Sequence, residues 1–354
     1  MNKKNNFDNK IALISGSGTG KELVELFDYA VKFISKIYGK KVITEYCNHT
    51  FSTYYNSKKY KSNEITKLVE TDLLKLQDFY RDFYRNGGKA VFRTAINAET
   101  LYRFRSIEKS VKSTIFPVGK NTLLLVRDQM QGFYCNENYI TTDNEINFEG
   151  KITKENLKDI IDYSIREAQK ELGKSFDIWI VYKHHLFGNT LEKWCNEYLN
   201  NVYMYQPNHA TDELYKLTSN SNKKERAILL IAGNEFGDII HEILLFSFCK
   251  SNRFISHSKN VYLNTEIYGL IEYQTVHGSA DDLEGKNLVN PIATLKAVSH
   301  YLEEFLKINN FQDIMTKTIN KAIDNNFVTP DMNGNKKSKE VVNYILNNIK
   351  KNKE

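Results

Sequence analysis

A chain of 354 residues, 41% of them apolar, is long enough to bury one large core or two moderate ones. Its net charge of +6 arises from 49 basic and 43 acidic residues mixed along the sequence, which describes a solvated surface and gives no reason to expect nucleic acid. No apolar run approaches the ~20 residues of a membrane helix, so no membrane partner is expected.

The start, MNKKNNFDNK, lacks the apolar core of a signal peptide. Cys47, Cys135, Cys195 and Cys249 are scattered without a CxxC pair. Free thiols in a reducing compartment are expected, and a cytoplasmic location with them.

In chain order, Ile11-Ala12-Leu13-Ile14 predicts a strand, followed by the turn Gly16-Ser17-Gly18-Thr19-Gly20. Leu23, Val24, Leu26, Phe27 and Ala30 then recur at helical spacing. Strand, turn and helix make a βα unit opening an α/β domain. The glycine spacing is not GxGxxG, and by itself it marks only a turn that needs positive φ. Residues 64–85 predict an amphipathic helix running into Asn86-Gly87-Gly88. Buried strands are expected at 122–126, 178–181 and 227–231. Between Cys135 and about Lys151 the chain is polar, Asn-rich and non-periodic, a loop or protruding arm. Helical periodicity returns at 291–308 through Ile292, Leu295, Val298, Leu302 and Phe305. Strands alternating with helices give an α/β fold.

The most informative stretch is His277-Gly278-Ser279-Ala280-Asp281-Asp282-Leu283-Glu284-Gly285-Lys286-Asn287-Leu288-Val289-Asn290-Pro291. It closely resembles the cofactor loop of the isocitrate/3-isopropylmalate dehydrogenase family, HGSAPDIAGKxxANP, with Asp281 where the family has proline. The resemblance implies a two-domain α/β fold with a discontinuous large domain. Residues 1–99 and 253–354 would form the cofactor-bearing half. Residues 100–252 would form the substrate and dimer half, with an arm near 135–151 pairing with its twin in a homodimer or higher oligomer.

It also implies that His277, Gly278, Ser279, Ala280, Asp282 and Asn290 hold the adenosine half of the nucleotide. Asp282 would accept hydrogen bonds from both ribose hydroxyls and repel a 2′-phosphate, which selects NAD.

Other segments fall in family register. Residues 11–22 look like the family's PGDGIGPE turn, with Ser17 for its Asp and Lys21 for its Pro. Arg93 and Arg103 have the ten-residue spacing of the arginines in LRxxxDLYxNxRP, and residues 126–134 resemble VRENTEGxY, keeping Arg127 and Tyr134. Three guanidiniums in one pocket suit a di- or tricarboxylate hydroxy acid, because each fork grips a carboxylate. Taken singly, each of these arginines reads as a surface residue. Val181-Tyr182-Lys183 resembles VHKAN, which makes Lys183 the catalytic lysine; His185 stands where that segment has Asn. Tyr134 would then reprotonate the decarboxylated carbon.

Residues 234–242 resemble NxFGDILSD, and the i, i+4 spacing sets Asp238 and Glu242 on one helical face, suited to Mg²⁺ or Mn²⁺. The third metal ligand, supplied by the partner in this family, falls on Asn208. His184, His185, His209 and His241 lack zinc spacing.

Two functions follow. One is oxidation, with decarboxylation, of a malate-type 2-hydroxy acid by NAD with a divalent metal. The other is a non-catalytic or regulatory NAD-binding homologue, suggested by the departures at Ser17, Lys21, Gln131, His185, Asn208 and Glu242.

Overall fold

The structure, a computed structural model, describes residues 9–60, 62–135, 138–142, 144–219, 225–248, 257–275 and 278–353. His277 therefore lies outside the described residues. Contacts divide the chain into two units. One comprises residues 1–101, 253–259 and 269–354, and the other residues 102–252 and 260–268. The segment 260–268 thus belongs with the middle of the chain, although it lies within the C-terminal stretch expected to join the large domain.

The first segment runs β1 (Lys10–Ile14), α1 (Gly20–Ile37), β2 (Ile43–Tyr46), α2 (Tyr54–Ser57), α3 (Ser62–Arg85) and β3 (Ala90–Arg93). Then come α4 (Ala98–Ile107), β4 (Ser110–Val118), β5 (Asn121–Asp128), β6 (Asn138–Thr142), β7 (Glu145–Phe148), α5 (Lys154–Glu171) and β8 (Asp177–Val181). They are followed by α6 (Thr190–Tyr198), β9 (Val202–Tyr205), α7 (Pro207–Ser219), β10 (Ala227–Ala232) and α8 (Asn234–Ile243). Last are β11 (His257–Tyr262), β12 (Ile271–Thr275), α9 (Ile292–Glu304), α10 (Phe311–Asp324) and α11 (Ser338–Lys353).

In the first unit β2, β1, β3 and β12 lie side by side, all parallel. Strands covered by helices carry continuous apolar runs, and β1 is buried throughout Ile11–Ile14. Helix α1 turns Leu23, Val24, Phe27, Ala30, Val31 and Ile34 inward, and Phe27 stacks on Phe92 of β3 at 4.2 Å. Helix α3 stops where the Gly87 amide bonds Tyr84 O and the Gly88 amide bonds Phe83 O; Gly87 sits at φ +80. A left-handed glycine closes the helix there.

In the second unit β4 pairs antiparallel with β5, and β5, β10, β8 and β9 continue in parallel. Leu123, Leu125, Trp179, Val181 and Leu230 join Ile240 of α8 in its core. The polar segment after Cys135 forms a two-stranded antiparallel ribbon, β6 on β7. Among the described residues no helix is long and apolar enough to cross a membrane.

Candidate active site and cofactor loop

Within the second unit a charged cluster forms where β4, β5 and α8 meet. Arg127, near the end of β5, is 4% exposed. Its Nε donates to Asn234 Oδ1 at 2.9 Å and its Nη1 to Asp238 Oδ1 at 2.5 Å. Helix spacing explains the pair of partners, since Asn234 and Asp238 are one turn apart on α8. Gly237 lets the helix lie on the arginine: a Cβ there would be 2.8 Å from Arg127 Cγ. Gly132, at φ +102, turns the chain so that the amides of Phe133 and Tyr134 both donate to Glu235 Oε1. An acid in the first turn of α8 also suits the helix dipole.

The Tyr134 hydroxyl has its pKa raised by burial, then by Asp238, Tyr102 and Glu235, with Arg127 opposing. It is a phenol built to keep its proton. Beneath it Asp128 is buried and pushed up to about 6, chiefly by desolvation. The Gln131 amide at 2.8 Å, the Met130 amide at 2.9 Å and the Tyr182 hydroxyl at 2.9 Å counter this. Gln131 also accepts from the Thr153 amide at 2.9 Å, so this departure from the family pattern ties β5 to the start of α5.

Cross-strand register sets Lys112 of β4 directly opposite Arg127, on the same face. Lys112 is buried, which pulls its pKa down to about 7; the Arg127 and Arg105 guanidiniums add to this, and Asp238 and Glu242 oppose it. Neither Arg105 nor Lys112 is marked by a motif. Only the strand pairing brings Lys112 to Arg127.

Of the three expected arginines, Arg93 belongs to the first unit and Arg103 and Arg127 to the second. Arg93 points into the first unit, 1% exposed, with Nε and Nη2 on the two oxygens of Glu272 at 3.0 Å each, Nη1 on Thr94 O at 2.8 Å and Nη2 also on Gln274. That guanidinium is fully engaged as a core ion pair. On α4, Arg103 is half-buried while Arg105 is buried. Two residues along a helix is about 200° of rotation, so the two face opposite ways.

Lys183 lies just past β8 and lines a cavity of about 770 Å³ with Phe133, Leu186, Phe187 and Trp194. Asn208 is exposed in the first turn of α7. Neither makes a hydrogen bond or ion pair with Arg127 or Asp238 among the described residues.

For a divalent cation, one chain offers Asp238 and Glu242. Glu242 Oε2 is a buried oxygen with no hydrogen-bond partner among the described residues, which fits a missing cation. Among the described residues no group of three His, Cys, Asp or Glu side chains could hold a metal.

The cofactor loop is latched to the turn after β1. The Thr19 amide and hydroxyl donate to Ser279 O at 3.0 and 2.9 Å, and the Gly285 amide donates to Glu22 at 2.5 Å. Gly18, at φ +70, leaves room for the loop: a Cβ there would be 2.7 Å from Ser279 O. Ala280 takes a left-handed φ of +44, and Gly278 and Asp282 are exposed. The Asp282 carboxylate has no hydrogen-bond or ion-pair partner among the described residues. Asn290 is 7% exposed, and its side chain bonds Asp331 at 2.8 Å and the Ile292 amide at 3.0 Å, so it caps α9.

A family model described as isocitrate/isopropylmalate dehydrogenase matches residues 97–345. The chain belongs to that family. Among its relatives, homoisocitrate dehydrogenase of Methanocaldococcus jannaschii is 25% identical over 65% of this chain and 63% of its own length. A 3-isopropylmalate dehydrogenase of Staphylococcus saprophyticus is 25% identical over 66% and 65%. D-malate dehydrogenase [decarboxylating] of Escherichia coli is 35% identical over 34% of each chain. These matches span from about a third to just under two thirds of the relatives' own length. The isocitrate dehydrogenase of Methylococcus capsulatus has the same fold, with a TM-score of 0.64 at 17% identity over 97% of this chain and 99% of that one.

Proposed function

We propose that the protein is an NAD-dependent, Mg²⁺- or Mn²⁺-assisted dehydrogenase that oxidises, with decarboxylation, a malate-type 2-hydroxy di- or tricarboxylic acid, working as a homodimer. One observation carries this reading: Arg127, Tyr134, Asp238 and Glu242 gather on one face of one unit, joining a carboxylate-binding fork, a protonated phenol and two cation ligands. Arg127 orients the substrate by a carboxylate. Lys183, from a second copy, takes the C2 hydroxyl proton, and Tyr134 returns a proton to the carbon that loses carbon dioxide. Asp238 and Glu242 would hold a divalent cation, which would supply Lewis acidity toward the C2 oxygen, and NAD would supply the hydride acceptor. Asn208 of the second copy is the third cation ligand.

The test is turnover and thermal shift with a panel of 2-hydroxy di- and tricarboxylates in the presence of NAD and Mn²⁺. No oxidation of any member sinks the dehydrogenase reading. The closed Arg127–Asp238 pair favours one alternative, a non-catalytic NAD-binding homologue, because that contact opposes cation binding. NAD binding without turnover, for wild type and Asn208→Asp alike, decides for it.

Two expected results arise here. Asp282→Lys weakens NAD and improves NADP in calorimetric titration; an unchanged NAD affinity rules out contact with the ribose. Asn208→Asp adds a negative charge, and a gain of 1.4 kcal/mol lowers the Mn²⁺ concentration for half-maximal rate about tenfold. Full turnover in chelator excludes the metal.

A further inference from the structure

After β5 the chain turns through Gly132, Phe133 and Tyr134, and each of these amides has to find an acceptor. Gly132 gives its amide to Lys151 O at 3.2 Å. The next two both go to one oxygen of Glu235, the Tyr134 amide at 3.3 Å. They open a short 3₁₀ turn, Phe133–Cys135, and the first amides of a helical turn have no acceptor within it. Glu235 therefore reaches across 101 residues of sequence to cap the turn that carries the phenol. The approach excludes a side chain at the turn, since a Cβ on Gly132 would lie 2.7 Å from Glu235 Oε1. Glu235 also stands three residues before Asp238, where like charges on a helix repel. Beyond the helix dipole, what a carboxylate gains there is the grip on these two amides, which a charged acceptor holds more strongly than a neutral one.

We propose that Glu235 is a positioning residue for the Tyr134 phenol: by clamping residues 132–134 to the first turn of α8, it fixes the proton donor in one frame with Arg127, Asp238 and Glu242. This rests on the reading of Tyr134 as the group that returns a proton to the decarboxylated carbon. The Tyr134 ring packs on Tyr102 at 5.1 Å, and its hydroxyl is at the far end of the side chain, so a displacement of the turn is passed on to the proton. The helix that holds the turn is also the one whose Asn234 and Asp238 hold Arg127. Glu235 acts in this role through the backbone it grips, and a misplacement of about 1 Å at a reacting group can cost about a hundredfold in rate.

The test compares Glu235→Gln, which keeps an accepting oxygen, with Glu235→Met, which fills the space without one, each alone and combined with Tyr134→Phe. With a hydroxy acid that the wild type oxidises, Glu235→Met should lower kcat by about ten- to a hundredfold. It should leave the KM of the acid and the Mn²⁺ concentration for half-maximal rate within about twofold. Glu235→Gln should recover most of the loss. Combined with Tyr134→Phe, which has no phenol to position, Glu235→Met should cost nothing further. Amide hydrogen exchange, measured without substrate, gives a readout independent of turnover: the Phe133 and Tyr134 amides should exchange about tenfold faster in Glu235→Met and near the wild-type rate in Glu235→Gln. Wild-type kcat in Glu235→Met, no recovery in Glu235→Gln, an equal loss on Tyr134→Phe, a raised Mn²⁺ requirement, or unchanged exchange at residues 133 and 134 would each overturn the proposal. If wild type oxidises a hydroxy acid and Glu235→Met matches its kcat, the proposal alone fails. If wild type oxidises nothing while Glu235→Met loses protection at residues 133 and 134, the clamp stands and the dehydrogenase reading fails.

Discussion

Arg127→Leu is expected to lower kcat/KM by about two to three orders of magnitude for any hydroxy acid the wild type oxidises, since truncating one partner of a buried charged pair costs about 2–5 kcal/mol. Each 1.4 kcal/mol is tenfold. The guanidinium is buried, and it holds both Asn234 and Asp238. Its loss therefore removes a substrate contact and the positive group that aligns the first turns of α8. Asp238, with 47% of its side chain exposed, can be rehydrated, so folding should suffer less than activity. Arg127→Lys keeps a charge and loses the planar fork, and should fall between the two. Steady-state kinetics at saturating NAD and Mn²⁺ read the effect; a loss below tenfold would remove Arg127 from the substrate site.

The second large effect is on stability. Glu272→Gln should lower the melting temperature by about 10 °C, because stripping one partner from a buried ion pair costs about 3–5 kcal/mol and 1 kcal/mol is worth about 2–4 °C in a unit of this size. Glu272 is completely buried and receives Arg93 twice and the Tyr80 hydroxyl once. The amide keeps the shape but leaves a guanidinium charge without its counterion. Adding Arg93→Met to Glu272→Gln removes that charge and should recover part of the loss. Calorimetric melting of the two variants gives the answer; a Glu272→Gln protein that melts with wild type would show the pair to be dispensable.

These two arginines show what could be read along the chain. Geometry contained within one turn is legible in the sequence: Asp238 and Glu242 at i, i+4 on α8, and the turn at Gly132 between Arg127 and Tyr134. Arg93 matched on spacing alone. Spacing carries no information about which way a strand residue points, and its partner Glu272 is 179 residues away. Lys112 leaves no signal in the sequence, because only the β4–β5 register sets it opposite Arg127. The ribbon after Cys135 lacks the apolar alternation of a strand packed on a core, so its sequence predicts a loop or arm.

The latch on the cofactor loop has a consequence for how this chain can change over generations. Its frame is held by the amide and hydroxyl of Thr19, by main-chain atoms of Ser279 and Gly285 and by Glu22, while the Asp282 side chain makes none of these bonds. The residue assigned to choosing the nucleotide is thus separable from the residues that shape its berth. If Asp282 chooses the nucleotide as proposed, a single codon change there would alter that choice while the loop stays folded, and nucleotide preference would be free to drift or be selected independently of stability.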